Sequence, residues 1–182
     1  MGIVLLGGIK HCGKTTLGRL AAEELGWRFY DLDNLILKET EGMWKTVREI
    51  WQNMGKEEFQ LLEEDASRNF IEWIIPDLDG RGCILSLGGG TVENTGAMAW
   101  IGKKGTNVYI RGEQEMLYKR IMAKGRPPFL SETSPREDFA QLYEKRDALY
   151  LGFAHLVHDV DDSPAEINAR RLIVALEKYH ER

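Results

Sequence analysis

Apolar positions along this chain fall into five short runs, separated by longer stretches in which they recur every three or four residues. The runs are Ile3–Leu6, Arg28–Asp31, Cys83–Leu87, Asn107–Ile110 and His155–Val160. Short runs of this kind predict strands buried on both faces of a parallel sheet, with the helical-period stretches between them as crossover helices. Lys14–Leu25 reads as the first helix, stopped by Gly26 in the C′ position. A longer one runs from about Lys56 to Ile75 and ends before Pro76, with Phe59, Leu62, Ala66, Phe70 and Trp73 spaced to form one apolar face. The last covers Pro164–Tyr179, with Ser163 as N-cap and Pro164 at N1; Ala165, Ala169, Leu172, Ile173 and Leu176 form its buried stripe. The expected architecture is α/β: a five-stranded parallel sheet flanked by helices on both faces.

One segment breaks this texture. Gly125–Asp138, GRPPFLSETSPRED, holds three prolines and several small polar residues, so it cannot be helix or strand throughout. A loop this long in a compact domain predicts a mobile lid, and Arg126 and Arg136 lie within it.

Composition narrows the function classes. A length of 182 residues predicts a single domain spanning the chain. A net charge of −5 argues against a sequence-independent nucleic-acid binder, whose affinity needs an excess of Lys and Arg. Cys12 and Cys83 are too few for a disulfide framework. Near the N-terminus no apolar run is long enough for a secretory or membrane segment, and Leu6 stands where a myristoylation signal wants Ser or Thr. A cytoplasmic monomer without membrane or nucleic-acid partners is expected.

The candidate chemistry begins directly after the first run. Gly8-Ile9-Lys10-His11-Cys12-Gly13-Lys14-Thr15 matches G-x-x-x-x-G-K-[ST] between a predicted strand and a predicted helix. The glycines let backbone N–H groups curl around an anion, and the helix N-terminus adds partial positive charge. Lys14 is then expected to bridge the β- and γ-phosphates of a bound triphosphate, and the Thr15 hydroxyl to ligate Mg²⁺. Lys10 and His11 are bulky for such a loop and are expected to face solvent. The third run ends without a carboxylate and passes into Gly88-Gly89-Gly90, unlike the metal-binding strand of motors and switches. The carboxylates sit instead in Tyr30-Asp31-Leu32-Asp33, where one can face a metal and the other, after the turn, a second substrate.

Taken together, the chain resembles the shikimate kinase family of P-loop small-molecule kinases, from Ile3 to about Leu176. The resemblance rests on Gly8–Thr16, Asp31-Leu32-Asp33, Gly55–Glu63, Leu85–Gly90, Arg126-Pro127, Glu144–Tyr150 and Pro164. It implies a P-loop kinase fold, with a lid and a substrate-binding helical region over about residues 34–75, and ATP- and Mg²⁺-dependent phosphorylation of a shikimate hydroxyl. It also implies site roles. Gly8, Cys12, Gly13, Lys14, Thr15 and Thr16 would hold the nucleotide phosphates. Thr15 and Asp31 would hold Mg²⁺, and Asp33 would accept a hydrogen bond from the attacking hydroxyl. Gly88, Gly89 and Gly90 would admit the acceptor close to the backbone, Arg146 would pair with its carboxylate, and Glu63 would stand nearby. Arg126 would close from the lid onto the transferring phosphoryl. Arg120 would stack on adenine, with Pro164 bordering the same pocket.

One position departs from the family pattern. The family has Phe-Arg where this chain reads Phe59-Gln60, and that arginine grips the substrate carboxylate beside the one matched by Arg146. Losing one charged hydrogen bond costs on the order of 1.5–3 kcal/mol. Arg48 and Arg136 are candidates to compensate. The alternatives are a kinase for another small hydroxy acid or polyol, gluconate being one, and a nucleotide-binding module without turnover.

Overall fold

The computed structural model describes residues 2–127 and 129–181; Pro128, in the expected lid, lies outside them. Five strands, β1 (Ile3–Gly7), β2 (Arg28–Asp31), β3 (Cys83–Ser86), β4 (Thr106–Gly112) and β5 (Leu156–Val160), form one parallel sheet in the order β2-β3-β1-β4-β5. Each predicted run is a strand within a residue or two of its expected bounds. Burial on both faces holds for β1 and β3. It fails at the sheet edges, where β2 starts on exposed Arg28 and β5 alternates exposed with buried positions. Edge strands lack a neighbour on one side, so solvent reaches them.

The helices are α1 (Lys14–Leu25), α2 (Leu32–Glu39), α3 (Val47–Asn69), α4 (Thr95–Ile101), α5 (Gln114–Met122), α6 (Pro135–Phe153) and α7 (Ala165–His180). Strand side chains alternate between the two faces. Leu6, Val4 and Ile84 pack with Leu17 and Ala21 of α1 and with Ala169, Leu172 and Leu176 of α7. Leu5, Cys83 and Leu85 pack with Leu32 and Ile36 of α2, Ile50 and Ala66 of α3, and Ile101 of α4.

Three expectations need correction. The helix expected to begin near Lys56 is joined to an earlier turn: α3 runs from Val47 through a break at Gly55, whose φ of 85° leaves the helical region. Past Asn69 it widens into a π turn over Phe70–Ile74, closed by Ile75 N–H donating to the Phe70 carbonyl at 3.0 Å. The wider turn rotates the predicted apolar stripe, so Phe70 is buried while Trp73 is 71% exposed. At α7, Pro164 has φ −49° and ψ 146° and is itself the cap; Ser163 supplies no side-chain cap. Finally, the irregular segment ends at Ser134, because Pro135 starts α6 in the first-turn position that tolerates proline. Arg136 and Asp138 are therefore helical.

No helix among the described residues is long and apolar enough to cross a membrane.

Candidate active site

Ligands of open parallel sheets bind beyond the strands' C-terminal ends, and that edge is where this chain concentrates its polar groups. Across the sheet, Asp31 of β2 is in register with Ser86 of β3, which is in register with Leu6 of β1. The loop following β1 turns directly into α1. Gly13, at φ 101°, caps α1 without a side-chain bond, and the first turn holds no acidic residue, leaving its N–H groups for an incoming anion. Gly8 is constrained twice: its φ is 152°, and a Cβ there would stand 2.5 Å from the Ile110 carbonyl oxygen.

Lys14 is 7% exposed, and its ammonium donates to the carbonyls of Gly8 (2.7 Å) and Ile9 (3.2 Å). The Thr15 hydroxyl donates to Asp31 Oδ2 at 2.9 Å and lies 3.5 Å from the Ser86 hydroxyl. Sequence reasoning missed Ser86; its position at the end of β3, where a carboxylate was sought, was the available signal. Asp31 also caps α2, its Oδ1 accepting from Asp33 N–H at 3.1 Å. Capping turns the chain, so Asp33 points toward Gly88 while Asp31 points toward Thr15. Burial, then the Asp31 carboxylate, raises the pKa of Asp33 above the ordinary aspartate value.

Glu63 is 3% exposed. It accepts from Thr91 Oγ1 at 2.6 Å and from Asn94 Nδ2 at 2.9 Å. Its pKa is raised, with desolvation outweighing those two hydrogen bonds. Asn94 also donates to the Gln60 carbonyl at 2.9 Å and caps α4 through Ala97 N–H, which ties α3 to the turn after the glycines.

Gly88, Gly89 and Gly90 need no special φ; what they need is room. A Cβ would come within 2.9 Å of Thr91 Oγ1 at position 88, 3.0 Å of Lys10 N at position 89 and 3.0 Å of Arg146 Nη2 at position 90. Arg146 reaches them from α6, with Nη2 2.7 Å and Nε 2.9 Å from the same oxygen of Glu93. Lys145 holds the other Glu93 oxygen at 2.5 Å. Lysine and arginine keep the Glu93 carboxylate ionised, its pKa lowered although burial opposes this. No local pattern marked Glu93, because its partners lie more than fifty residues away in sequence.

Many of these residues line one cavity of about 850 Å³. Its wall takes Gly13, Lys14, Thr15, Thr16, Asp31, Asp33, Gln60, Glu63, Gly88, Gly89, Gly90, Arg120 and Arg146 from the expected site. It also takes Lys10, which stays exposed as expected, His11, which is half-buried against the cavity, and Arg48, Trp51 and Lys56 from α3. Gly8, Cys12, Arg126 and Pro164 are not on this wall. Cys12 is buried beneath the loop, its sulfur 3.7 Å from the Lys14 ammonium, and Pro164 is exposed. Arg126 is turned onto its own segment, donating to the Leu130 carbonyl and to Glu132 Oε1 at 2.7 Å. Arg120 lines the cavity while paired with Asp162 at 2.8 Å. Arg136, a candidate to compensate for Gln60, lies off this wall: it pairs with Glu115 at 2.6 Å and stacks over Tyr118.

A family model for shikimate kinase matches residues 10–177. The chain belongs to the shikimate kinase family. It is thus an ATP-dependent small-molecule phosphotransferase. The chain is 34% identical over 156 residues to the shikimate kinase of Nitrosospira multiformis, covering 86% of this chain and 75% of that protein. It is 31% identical over 164 residues to that of Persephonella marina, covering 90% and 93%. A solved Acinetobacter baumannii shikimate kinase in complex with shikimate shares the fold, with a TM-score of 0.84 at 24% identity, covering 100% of this chain and 96% of that one. The Bacteroides thetaiotaomicron shikimate kinase superposes with a TM-score of 0.78 at 27% identity, covering 97% and 98%.

Proposed function

We propose that this chain transfers the terminal phosphoryl group of ATP to a hydroxyl of shikimate, giving shikimate 3-phosphate and ADP. One observation carries the reading: the phosphate loop and the Asp33–glycine–Arg146 set open into the same cavity, so donor and acceptor can meet without leaving it. Family membership and the relatives named as shikimate kinases support the acceptor.

Lys14 exchanges its two loop carbonyls for the β- and γ-phosphates, and the free N–H groups of the loop and α1 take the remaining oxygens. Thr15, Asp31 and Ser86 offer only hard oxygen donors with a single carboxylate, which fits Mg²⁺ bound chiefly through phosphates. A bound Mg²⁺ supplies charge neutralisation at the transferring group. Asp33 accepts the proton of the attacking hydroxyl; burial makes it a stronger base than a solvated aspartate. The acceptor rests on the backbone of Gly88–Gly90, its carboxylate on Arg146, with Gln60, Arg48 and Lys56 near it on the wall. Residues 125–134 act as the lid: Arg126 leaves Glu132 and the Leu130 carbonyl to reach the phosphoryl, and closure excludes water. Arg120 and Pro164 flank the adenine.

A second acceptor reading, another small hydroxy acid or a polyol, draws support from Glu93, which already engages Arg146. A coupled ADP-release assay over shikimate, quinate, gluconate and nucleoside monophosphates separates the two. Shikimate is expected to give the highest kcat/KM. Stimulation by nucleoside monophosphates alone would reject the assignment.

A further inference from the structure

His11 stands in the middle of the phosphate loop with φ 67°, in the left-handed region. Histidine is tolerated there better than most side chains but less well than glycine, so this loop carries conformational strain where glycine would carry none. The side chain is half-buried and lines the cavity. Its charged neighbours are all cations: Lys10 and Lys14 from the loop, and Arg120 and Lys124 from α5 and the turn after it. Among the described residues Arg120 is the one of these in an ion pair, with Asp162. Burial first, then these four cations, hold the imidazole below the usual histidine range, so it is neutral near pH 7 in the empty protein.

A nucleotide's polyphosphate would change that balance. It brings several negative charges and many oxygen acceptors into the space these cations surround, offsetting the field that opposes protonation. A strained, cavity-facing imidazole between four cations is positioned for an anion and for little else.

We propose that His11 contacts the polyphosphate of the bound nucleotide and takes up one proton from solvent as the nucleotide binds. The inference rests on the reading of Gly8–Thr15 as the nucleotide loop. Its sign follows from linkage. Protonation is easier in the complex than in the empty protein, so ADP affinity rises as pH falls between the two pKa values and levels off outside them. One proton limits the slope to about tenfold in Kd per pH unit.

The test is calorimetric titration of the full chain with Mg-ADP from about pH 8 to about pH 6, in two buffers of different ionisation heat. His11→Asn keeps a residue that tolerates the left-handed conformation but does not titrate, and His11→Gly keeps the backbone without a side chain. The terminal phosphate of ADP titrates in the same range, so the variants define its own contribution. Wild type is expected to take up more protons than either variant near neutral pH, and to tighten several-fold more on acidification. Equal uptake and equal pH slopes in all three proteins would overturn the role of His11 while leaving the nucleotide loop in place. Failure of wild type to bind ADP at all would overturn both the loop's reading and the inference built on it.

Discussion

At position 60 a neutral amide faces the cavity within the reach of an acceptor that Arg146 is also expected to hold. Arg146 is not a free cation, since Glu93 accepts from both its Nε and its Nη2. Glu93 also holds Lys145, so an anionic acceptor meets an Arg146 whose charge is partly offset, and Gln60→Arg should restore a free, bidentate charged partner. Shikimate KM is expected to fall by about tenfold, equivalent to about 1.4 kcal/mol, while kcat changes little because the carboxylate is bound alike in ground and transition states. Steady-state kinetics check this, repeated with Arg48→Ala because Arg48 lines the same wall. A higher KM in both backgrounds would remove position 60 from the carboxylate subsite. Residues were legible here to the extent that their partners were local. Lys14 and Thr15 followed from spacing within the phosphate-loop motif, and the choice of Asp31 over Asp33 for the metal from the family resemblance. Thr91, Asn94 and Glu93 did not, because each acquires its role from a partner brought close only by the fold, as when Thr91 meets Glu63 across 28 positions.

Elements were legible where a residue dictates backbone shape. Gly26 ends α1 in the left-handed conformation with its N–H bonded back to Ala22 and Glu23, as its position predicted. Periodicity did less well in α3, because counting by 3.6 assumes an unbroken α-helix and the π turn at Phe70–Ile74 inserts an extra residue. The two aromatic residues of that turn should therefore differ sharply. Phe70→Ala should cost about 3–5 kcal/mol by emptying a fully buried site, whereas Trp73→Ser should stay within about 0.5 kcal/mol. Chemical denaturation of both variants reads the difference; a comparable loss for Trp73 would restore the unbroken apolar stripe. The segment 125–134 makes a second prediction at this scale. Arg126 is held by Glu132 and the Leu130 carbonyl, so the proposed contact with the phosphoryl requires it to leave both. Arg126→Ala should lower kcat by orders of magnitude with little change in ATP affinity. Unchanged kcat with a raised KM for ATP would place Arg126 at the resting nucleotide site instead.

For the molecule as a whole, the sheet order β2-β3-β1-β4-β5 sets the phosphate loop at the centre of the sheet, with α2, α3 and α4 packed on one face and α1, α5, α6 and α7 on the other. Two apolar cores, one on each face, hold that arrangement, and Lys14 belongs to neither. It is nevertheless buried, with its ammonium on two loop carbonyls, so Lys14→Ala would disturb packing as well as charge. Lys14→Met keeps most of the stem and removes the ammonium. The ammonium itself lines the cavity, so water can replace it at the two carbonyls and the loss should stay below the roughly 1.5–3 kcal/mol of a charged hydrogen bond; the unliganded Tm should fall by only a few degrees. The effect of nucleotide should differ far more. ADP at a hundred times its Kd stabilises the folded state by about 2.7 kcal/mol. In a chain of this size that is a rise in Tm of roughly 5–11 °C. Lys14→Met should lose most of that rise at the same ADP concentration and all measurable phosphoryl transfer, because the charge it removes meets the phosphates directly. Differential scanning calorimetry with and without ADP, beside the ADP-release assay, measures both. An undiminished ADP shift together with near-normal turnover would take Lys14 out of the nucleotide site. A collapse of the unliganded Tm would show that its bonds to Gly8 and Ile9 hold the loop together before any nucleotide arrives.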